Sequence, residues 1–158
     1  METAGEKKEA RYQRIFLQLK ALLHKSPSQT AQMATVAAVL HHKMDGFFWT
    51  GFYLLQEGNL IVGPYQGPLA CQKLEKNLGV CWTAINNQKT IIVPDVHDFP
   101  GHIACDPRSR SEIVVPLKNQ AGKIVGVLDI DSKRPGHFDE TDAMNLEEIA
   151  KLICFSGK

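Results

Sequence analysis

Four cysteines, at positions 71, 81, 105 and 154, carry the most reactive side chains of this sequence. Cys105 stands in GHIACDPRSR, where glycine, proline and arginine are typical of a polar loop. An accessible thiol near cationic groups has a lowered pKa and becomes a nucleophile. The residues alone leave other roles open for Cys105, because such a thiol also serves as packing, as a redox sensor or as a metal ligand.

The spacing of the cysteines argues against a metal site. Cys71, Cys81 and Cys105 are separated by ten and twenty-four residues. Structural zinc sites usually bring their cysteines in close pairs such as C-x-x-C. We therefore expect no bound metal. Cys154 lies in the apolar stripe of the last predicted helix, and we expect it to pack there as a small hydrophobic residue.

Three acids are predicted to lie near the Cys105 loop. Asp129 and Asp131 stand two apart in the apolar run VGVLDIDS, so both point to one face of a strand. Glu112 begins the preceding strand, and a hairpin turn at 119–122 brings residue 112 close to residue 129. The three carboxylates can form an anionic pocket for an ammonium group. The alternative is a set of acids that end their strands in solvent.

Aromatic residues of an earlier strand offer a wall for such a pocket. Trp49 and Tyr53 lie four residues apart in FFWTGFYLL, so they share one face of the predicted strand over 47–55. Ligand pockets are commonly lined by aromatic side chains together with a few polar groups. We expect Trp49 and Tyr53 to contact the ligand.

Helices are predicted at both ends of the chain. Residues 5–43 form two helices, interrupted at Ser26-Pro27-Ser28, where Ser28 caps the second helix. A last helix over 139–155 is capped by Asp139. The expected inward residues are Tyr12, Ile15, Phe16, Leu19, Leu22 and Leu23 in the first helix, Met33, Val36, Ala37 and Leu40 in the second, and Met144, Ile149, Leu152 and Ile153 in the last.

Hairpins fill the middle of the chain, over residues 47–132. The predicted strands are 47–55, 60–65, 90–93, 113–117 and 124–130, and a short helix is predicted over 79–87. Strands joined directly by turns form antiparallel sheets. The sequence therefore predicts an α+β fold, with one antiparallel sheet flanked by the N- and C-terminal helices.

Composition limits the classes of function. The chain has 158 residues, 44% of them hydrophobic and 22% charged, which fits a single domain over 1–158. The net charge of +1 does not favour binding to nucleic acid or to a membrane. The polar start METAGEKKEA resembles no signal peptide. We expect a cytoplasmic protein whose cysteines are reduced at rest.

Six motifs together resemble the free methionine-(R)-sulfoxide reductase family, which has the GAF fold. They are WTGFYL, GPYQGPLAC, GVC, DVHDFPGHIACD, SEIVVPL and GVLDIDS, in order over roughly residues 40–140. The resemblance implies a six-stranded antiparallel sheet in a single GAF-like domain and often a homodimer. It also implies that the protein reduces the sulfoxide of free methionine, and not that of methionine within a protein.

The resemblance assigns a role to each motif residue. Cys105 resembles the nucleophile, Cys71 the resolving cysteine, and Cys81 an auxiliary or alternative resolving cysteine. The remaining matches are to substrate-binding residues, which are Trp49, Tyr53, Glu112, Asp129 and Asp131. The implied mechanism forms a sulfenic acid on the nucleophile and then a disulfide, which thioredoxin reduces. It needs no bound cofactor.

Two other classes of function fit the same sequence. A ligand-binding GAF sensor would bind a small molecule without turnover. A redox sensor would form a signalling disulfide with the same cysteines and would consume no sulfoxide.

Overall fold

Two helices form the N-terminal part of the computed structural model, which describes residues 1–102 and 105–156. Helix α1 spans Ala4–His24, and Thr3 caps it in a reciprocal capping box with Glu6. Helix α2 spans Gln29–Lys43, and the Ser28 side chain accepts a hydrogen bond from the Ala31 N–H. The predicted break at Pro27 and the predicted cap at Ser28 are both confirmed.

A six-stranded antiparallel sheet follows, in the order β3-β2-β1-β6-β5-β4. Its strands are β1 (Trp49–Gln56), β2 (Asn59–Gln66), β3 (Lys73–Leu74), β4 (Ile91–Val93), β5 (Ser111–Lys118) and β6 (Ile124–Ser132). Helix α3 spans Gly79–Asn87 and helix α4 spans Glu140–Ala150. The α+β class and the six strands are confirmed. The pattern of residues missed β3, because a strand of two residues shows no alternation; the resemblance supplied it.

The two faces of the sheet are covered differently. Helices α1, α2 and α4 pack on one face in the larger apolar cluster, to which β1 contributes Phe52. Helix α3 and the long loops cover the other face, where a second cluster holds Trp49 and Tyr53. Alternation along β1 therefore sends the two predicted wall residues away from the three-helix layer and towards α3. We call this second side the site face.

Three predictions about apolar residues are wrong. Leu22 is 49% exposed and Met144 is 66% exposed, because the buried stripes of α1 and α4 run along neighbouring positions. Helix α4 ends at Ala150 and does not continue to residue 155. Cys154 therefore lies beyond the helix, where it is exposed instead of packed in the core.

The first helix is tied to the last by polar contacts. The Tyr12 hydroxyl donates a hydrogen bond of 2.6 Å to Asp142, which is buried in α4. Lys8 reaches Asp139 and Asp142 at 2.9 and 2.8 Å.

Among the described residues, no helix has the length and apolar character needed to cross a membrane. The domain bounds at 1 and 158 stay a prediction, and residues 157 and 158 lie outside the described part.

Candidate active site

The three predicted acids lie together on the site face. Glu112 on β5 is the direct cross-strand partner of Asp131 on β6, and Asp129 lies opposite Val114 two positions further along. We call Glu112, Asp129 and Asp131 the acid cluster. The predicted pairing of residue 112 near residue 129 was two positions off, because the loop closes at Asn119 and Lys123 and the register shifts after Leu117.

Burial sets the charge state of the acid cluster. Glu112 and Asp129 are only 6% and 5% exposed. Burial, then the charges of Asp129 and Asp131, raises the pKa of Glu112 well above its ordinary value. Burial, then the charge of Asp129, also raises the pKa of Asp131. A neutral Glu112 carboxyl can donate a hydrogen bond to Asp129, which lets one charge persist in the cluster.

The pKa of Asp129 is raised less than the pKa values of Glu112 and Asp131. Burial raises its pKa, but hydrogen bonds from Glu112 and Cys81 favour the ionised carboxylate and work against that increase. One of its oxygens, Oδ1, is buried without a hydrogen-bond partner in the described part of the chain. Asp129 is therefore the member of the acid cluster best placed to hold a negative charge for a ligand.

Cys81 lies in the first turn of α3 and points into the acid cluster. One donor atom from each of Cys81, Glu112 and Asp129 lies within 4.8 Å of the other two. Burial, then the charge of Asp129, raises the pKa of the Cys81 thiol well above its ordinary value. Because the thiolate is the nucleophile, this position suppresses the reactivity of Cys81 at neutral pH.

Within residues 1–102 and 105–156, these three donors form the one group that could hold a metal ion. One sulfur and two carboxylates match the number of protein ligands in many catalytic zinc sites. The spacing of residues along the chain does not reveal this set, because its members come from α3, β5 and β6. The expectation that the protein binds no metal stays a prediction.

Cys71 and Cys105 form a disulfide, with their Cα atoms 5.5 Å apart and a separation of 34 positions in sequence. Cys105 is exposed, whereas Cys71 is partly buried against the apolar cluster of the site face. The carbonyl of Cys71 accepts a hydrogen bond of 3.2 Å from the Tyr53 hydroxyl. The pair that the resemblance implied is thus joined in the structure, and its partly buried member is anchored to the sheet.

The arginines near Cys105 are engaged with acids of their own loop. Arg108 binds Asp106 through Nε and a terminal nitrogen at 3.0 and 2.7 Å. Arg110 pairs with Asp95 at 3.1 Å. The hydrogen bonds from Arg108 lower the pKa of Asp106 to about 2. Each of these arginines is thus paired with an acid of the same loop, and the lowering of the Cys105 thiol pKa by nearby cationic groups stays a prediction. Residues 103 and 104, which also belong to it, lie outside the described part.

An aromatic stack forms the wall of the site. The centroid of the Trp49 ring lies 5.7 Å from that of Tyr53 and 5.3 Å from that of Tyr65, with angles of 23° and 20° between the ring planes. Gly51 makes room for the stack, because a Cβ atom there would overlap the side chains of Tyr65 and Trp49. Sequence reasoning missed Tyr65. Its position opposite Gly51 across β1 and β2 is the signal that could have revealed it.

One pocket gathers these groups. The residues that line it are Trp49, Tyr53, Leu69, Ala70, Leu74, Leu78, Gly79, Val80, Cys81, His102, Cys105, Asp106, Ser109, Glu112, Asp129 and Asp131. All the predicted site residues except Cys71 are on this list, and Cys71 is bonded to Cys105 at its edge. His102 was not predicted as a site residue; its pKa is lowered by burial and then by His97. The pocket thus combines a disulfide, buried acids and an aromatic wall.

Known proteins are similar to this chain in sequence and in fold. Residues 25–155 match the model of the GAF domain family. The chain is 47% identical over 154 residues to GAF domain-containing protein A of Dictyostelium discoideum, which spans 97% of this chain and 96% of that protein. It is 42% identical over 135 residues to the free methionine-R-sulfoxide reductase of Escherichia coli, which spans 84% of this chain and 80% of that protein.

A solved structure gives the same result in three dimensions. The X-ray structure of free methionine-R-sulfoxide reductase from Neisseria meningitidis, in complex with its substrate, superposes with a TM-score of 0.88 at 42% identity. The match covers 97% of this chain and 91% of that one. Fold and sequence agree, and the chain belongs to the free methionine-R-sulfoxide reductase family of GAF domains.

Proposed function

We propose that this protein reduces free methionine-(R)-sulfoxide to methionine, using its own cysteines as the reductant. The observation that carries the proposal is the Cys71–Cys105 disulfide at the edge of a pocket lined by the acid cluster. The names of the relatives in Escherichia coli and Neisseria meningitidis support both the substrate and the epimer.

The acid cluster is suited to bind the ammonium group of a free amino acid. Asp129 keeps a buried oxygen that no described residue satisfies, and an ammonium group would supply the missing donor. An amide nitrogen in a peptide carries no charge and has fewer hydrogens to donate. A peptide-bound sulfoxide would therefore leave the cluster unsatisfied, which gives strong discrimination. The ring faces of Trp49 and Tyr53 offer apolar contact to the methylsulfinyl end.

The first chemical step takes place at Cys105. Its thiolate attacks the sulfoxide sulfur while a carboxylic acid of the cluster protonates the sulfoxide oxygen. Glu112 and Asp131 are the two candidates for this acid, since their raised pKa values keep a proton available near neutral pH. The oxygen passes to Cys105 as a sulfenic acid, and methionine leaves with its sulfur reduced.

The second step forms the disulfide. The Cys71 thiol condenses with the sulfenic acid of Cys105, releases water and gives the bond present in the structure. Thioredoxin then reduces that bond by thiol–disulfide exchange. We assign Cys81 an auxiliary or alternative resolving role, because its burial and raised pKa disfavour direct attack on substrate. No cofactor takes part, and we place the enzyme in the cytoplasm as a homodimer.

Methionine production tests this function directly. The reduced protein is incubated with dithiothreitol and either the R or the S epimer of methionine sulfoxide, free or N-acetylated, and methionine is quantified. We expect rapid reduction of the free R epimer alone. Binding without any methionine would identify a sensor instead, and a disulfide formed by peroxide without consumption of sulfoxide would identify a redox sensor. Equal rates on free and N-acetylated R sulfoxide would rule out the ammonium pocket.

A further inference from the structure

Two large apolar side chains stand exposed at the mouth of the pocket. Leu69 is 85% exposed and Leu78 is 46% exposed, and both line the same pocket as Cys105. Leu69 lies two residues before Cys71, and Leu78 lies next to Gly101 of the Cys105 loop. We call Leu69 and Leu78 the rim. The other large hydrophobic side chains exposed in the described residues belong to the N-terminus, α1 and α4.

The rim is exposed in the oxidised form of the protein. In this form Cys105 is bonded to Cys71 and has no thiolate with which to attack a substrate. The next event must be attack on the disulfide by an external thiol. An apolar surface exposed in this state is therefore available to whatever reduces the bond.

The two sulfurs differ in their accessibility. Cys105 is an exposed loop residue. Cys71 is partly buried against the apolar cluster, and Tyr53 holds its backbone carbonyl. Thiol–disulfide exchange depends on which sulfur the incoming thiolate can reach. A reductase that approaches from solvent meets Cys105 first.

We propose that the rim is the docking surface for a protein dithiol reductase of the thioredoxin class, whose thiolate attacks Sγ of Cys105. The proposal rests on the function proposed above. The new bond joins the reductase to Cys105, the Cys71–Cys105 bond breaks, and its electron pair leaves on Cys71, which takes up a proton. The second thiol of the reductase then displaces Cys105 and closes the reductase disulfide, so the two electrons of the dithiol reduce both cysteines.

A protein partner needs this rim, whereas a small thiol does not. A leucine that is buried against a partner is removed from water, and this removal favours association. Dithiothreitol has no surface that could use the contact, and it reaches the exposed Cys105 directly. The rim should therefore affect reduction by a protein without affecting reduction by dithiothreitol.

Paired assays of Leu69→Ser and Leu78→Ser test the docking surface. Methionine production is measured with thioredoxin, thioredoxin reductase and NADPH, and the reduction of the Cys71–Cys105 disulfide by dithiothreitol is measured separately by titration of the freed thiols. We expect kcat/KM for thioredoxin to fall about tenfold, which corresponds to about 1.4 kcal/mol, while dithiothreitol reduces the disulfide of each variant as fast as that of the wild type. Leu17→Ser is the matched control, because Leu17 is a 66% exposed leucine on α1; it should alter neither assay.

Each other outcome has a separate meaning. Unchanged kcat/KM for thioredoxin in both variants would overturn the docking surface. A fall in both assays would show that the rim holds the disulfide in place and does not receive a protein, which would overturn the docking surface as well. A wild-type protein that makes no methionine with dithiothreitol would refute the proposed function, whatever the variants do.

Trapping the mixed disulfide tests the point of attack. Oxidised protein carrying Cys154→Ser, which removes the exposed free thiol, is mixed with a thioredoxin whose second active-site cysteine is replaced by serine. The trapped complex is digested without reduction, and mass spectrometry identifies the linked peptides. We expect thioredoxin on the peptide that contains Cys105. Linkage to the Cys71 peptide would overturn the proposed direction of attack.

Discussion

Glu112 and Asp131 face each other across β5 and β6, and both carboxyls have raised pKa values because they are desolvated. The folded protein therefore keeps protons that the unfolded chain releases above its ordinary carboxyl pKa, near 4.5 for glutamate. The contribution of such a group to stability is greatest below that pH and declines as the pH rises towards the folded pKa. The acid cluster thus lowers the stability of the fold at neutral pH.

Replacing Glu112 by glutamine should separate stability from activity. Each pH unit above the ordinary glutamate pKa costs the folded protein about 1.4 kcal/mol until the raised folded pKa is reached, and the neutral amide avoids this cost. We expect Glu112→Gln to raise the melting temperature at pH 7 by a few degrees, with little change near pH 4. Turnover should fall at least tenfold. Calorimetry at both pH values and the methionine assay measure these effects.

The exposed acid Asp98 supplies the control for this experiment. Asp98→Asn should change neither the melting temperature nor turnover, because Asp98 lies in solvent on the 3-10 turn at Val96–Asp98. A lower melting temperature for Glu112→Gln at pH 7 would mean that the Glu112 carboxyl stabilises the fold more through its hydrogen bond to Asp129 than it costs through burial.

The thiols should differ in single-turnover experiments without a reductant. We expect Cys105→Ser to release no methionine, because the attacking sulfur is gone. Cys71→Ser should release one methionine per protein and leave a sulfenic acid that dimedone traps, because only the resolving step is lost. Steady-state turnover with thioredoxin should fall steeply in both variants.

Two further cysteine variants complete the set. Cys154→Ser should behave like the wild type, since Cys154 is exposed beyond α4. Cys81→Ser should keep its first methionine. If Cys105→Ser released a full equivalent of methionine and Cys81→Ser released none, Cys81 would be the nucleophile.

Local pattern was enough to predict most of the fold. Helix caps and strand alternation depend only on residues that are neighbours in sequence, so both can be predicted from the sequence. Examples are the caps at Ser28 and Asp139 and the alternation along β1 and β6. The short strand β3 and the end of α4 depend on tertiary contacts. Alternation of side chains along a strand was enough to place Asp129 and Asp131 on one face. The cross-strand partner of Glu112, however, depends on how the loop around Asn119 closes, and the sequence pattern did not predict that closure.

The site was less predictable where it depends on distant segments. Tyr65 enters the aromatic stack only because β2 pairs with β1, and Cys81 meets the acid cluster only because α3 packs on the site face. The pairing of Arg108 with Asp106 is local, but the sequence showed only that both were charged. The resemblance, and not the spacing, indicated the Cys71–Cys105 pair.

Gly51 should be essential for the aromatic wall. A methyl group at this position would overlap the side chains of Trp49 and Tyr65, so Gly51→Ala should displace the stack. We expect KM for the sulfoxide to rise several-fold and the near-ultraviolet circular dichroism of the aromatic residues to change. Gly63→Ala on β2 is the control, because a Cβ atom there meets its neighbours no closer than 3.5 Å. Equal KM values for both variants would show that the aromatic stack does not contribute to substrate binding.

Removal of metal ions should leave the reaction intact. The proposed chemistry uses thiols and a carboxylic acid alone, so dialysis against EDTA should not change the rate of methionine production. Elemental analysis of the purified protein should find less than a tenth of an equivalent of zinc, on the order of contamination. A rate that EDTA abolishes and zinc restores would show instead that Cys81, Glu112 and Asp129 bind an essential ion.

The disulfide between Cys71 and Cys105 closes a loop that carries β3, α3 and β4. Cross-linking across thirty-four residues reduces the conformational entropy of the unfolded chain, by an amount equivalent to about 4 kcal/mol. In the proposed cycle that bond is made and broken at every turnover, so the reduced enzyme must stay folded without it. The stability of the reduced enzyme must then come from the three-helix layer, where Tyr12, Leu40 and Leu146 are buried outside the cross-linked loop. In each proposed cycle, therefore, only the segment between Cys71 and Cys105 gains and loses a covalent cross-link, and the helices of the three-helix layer lie outside that segment.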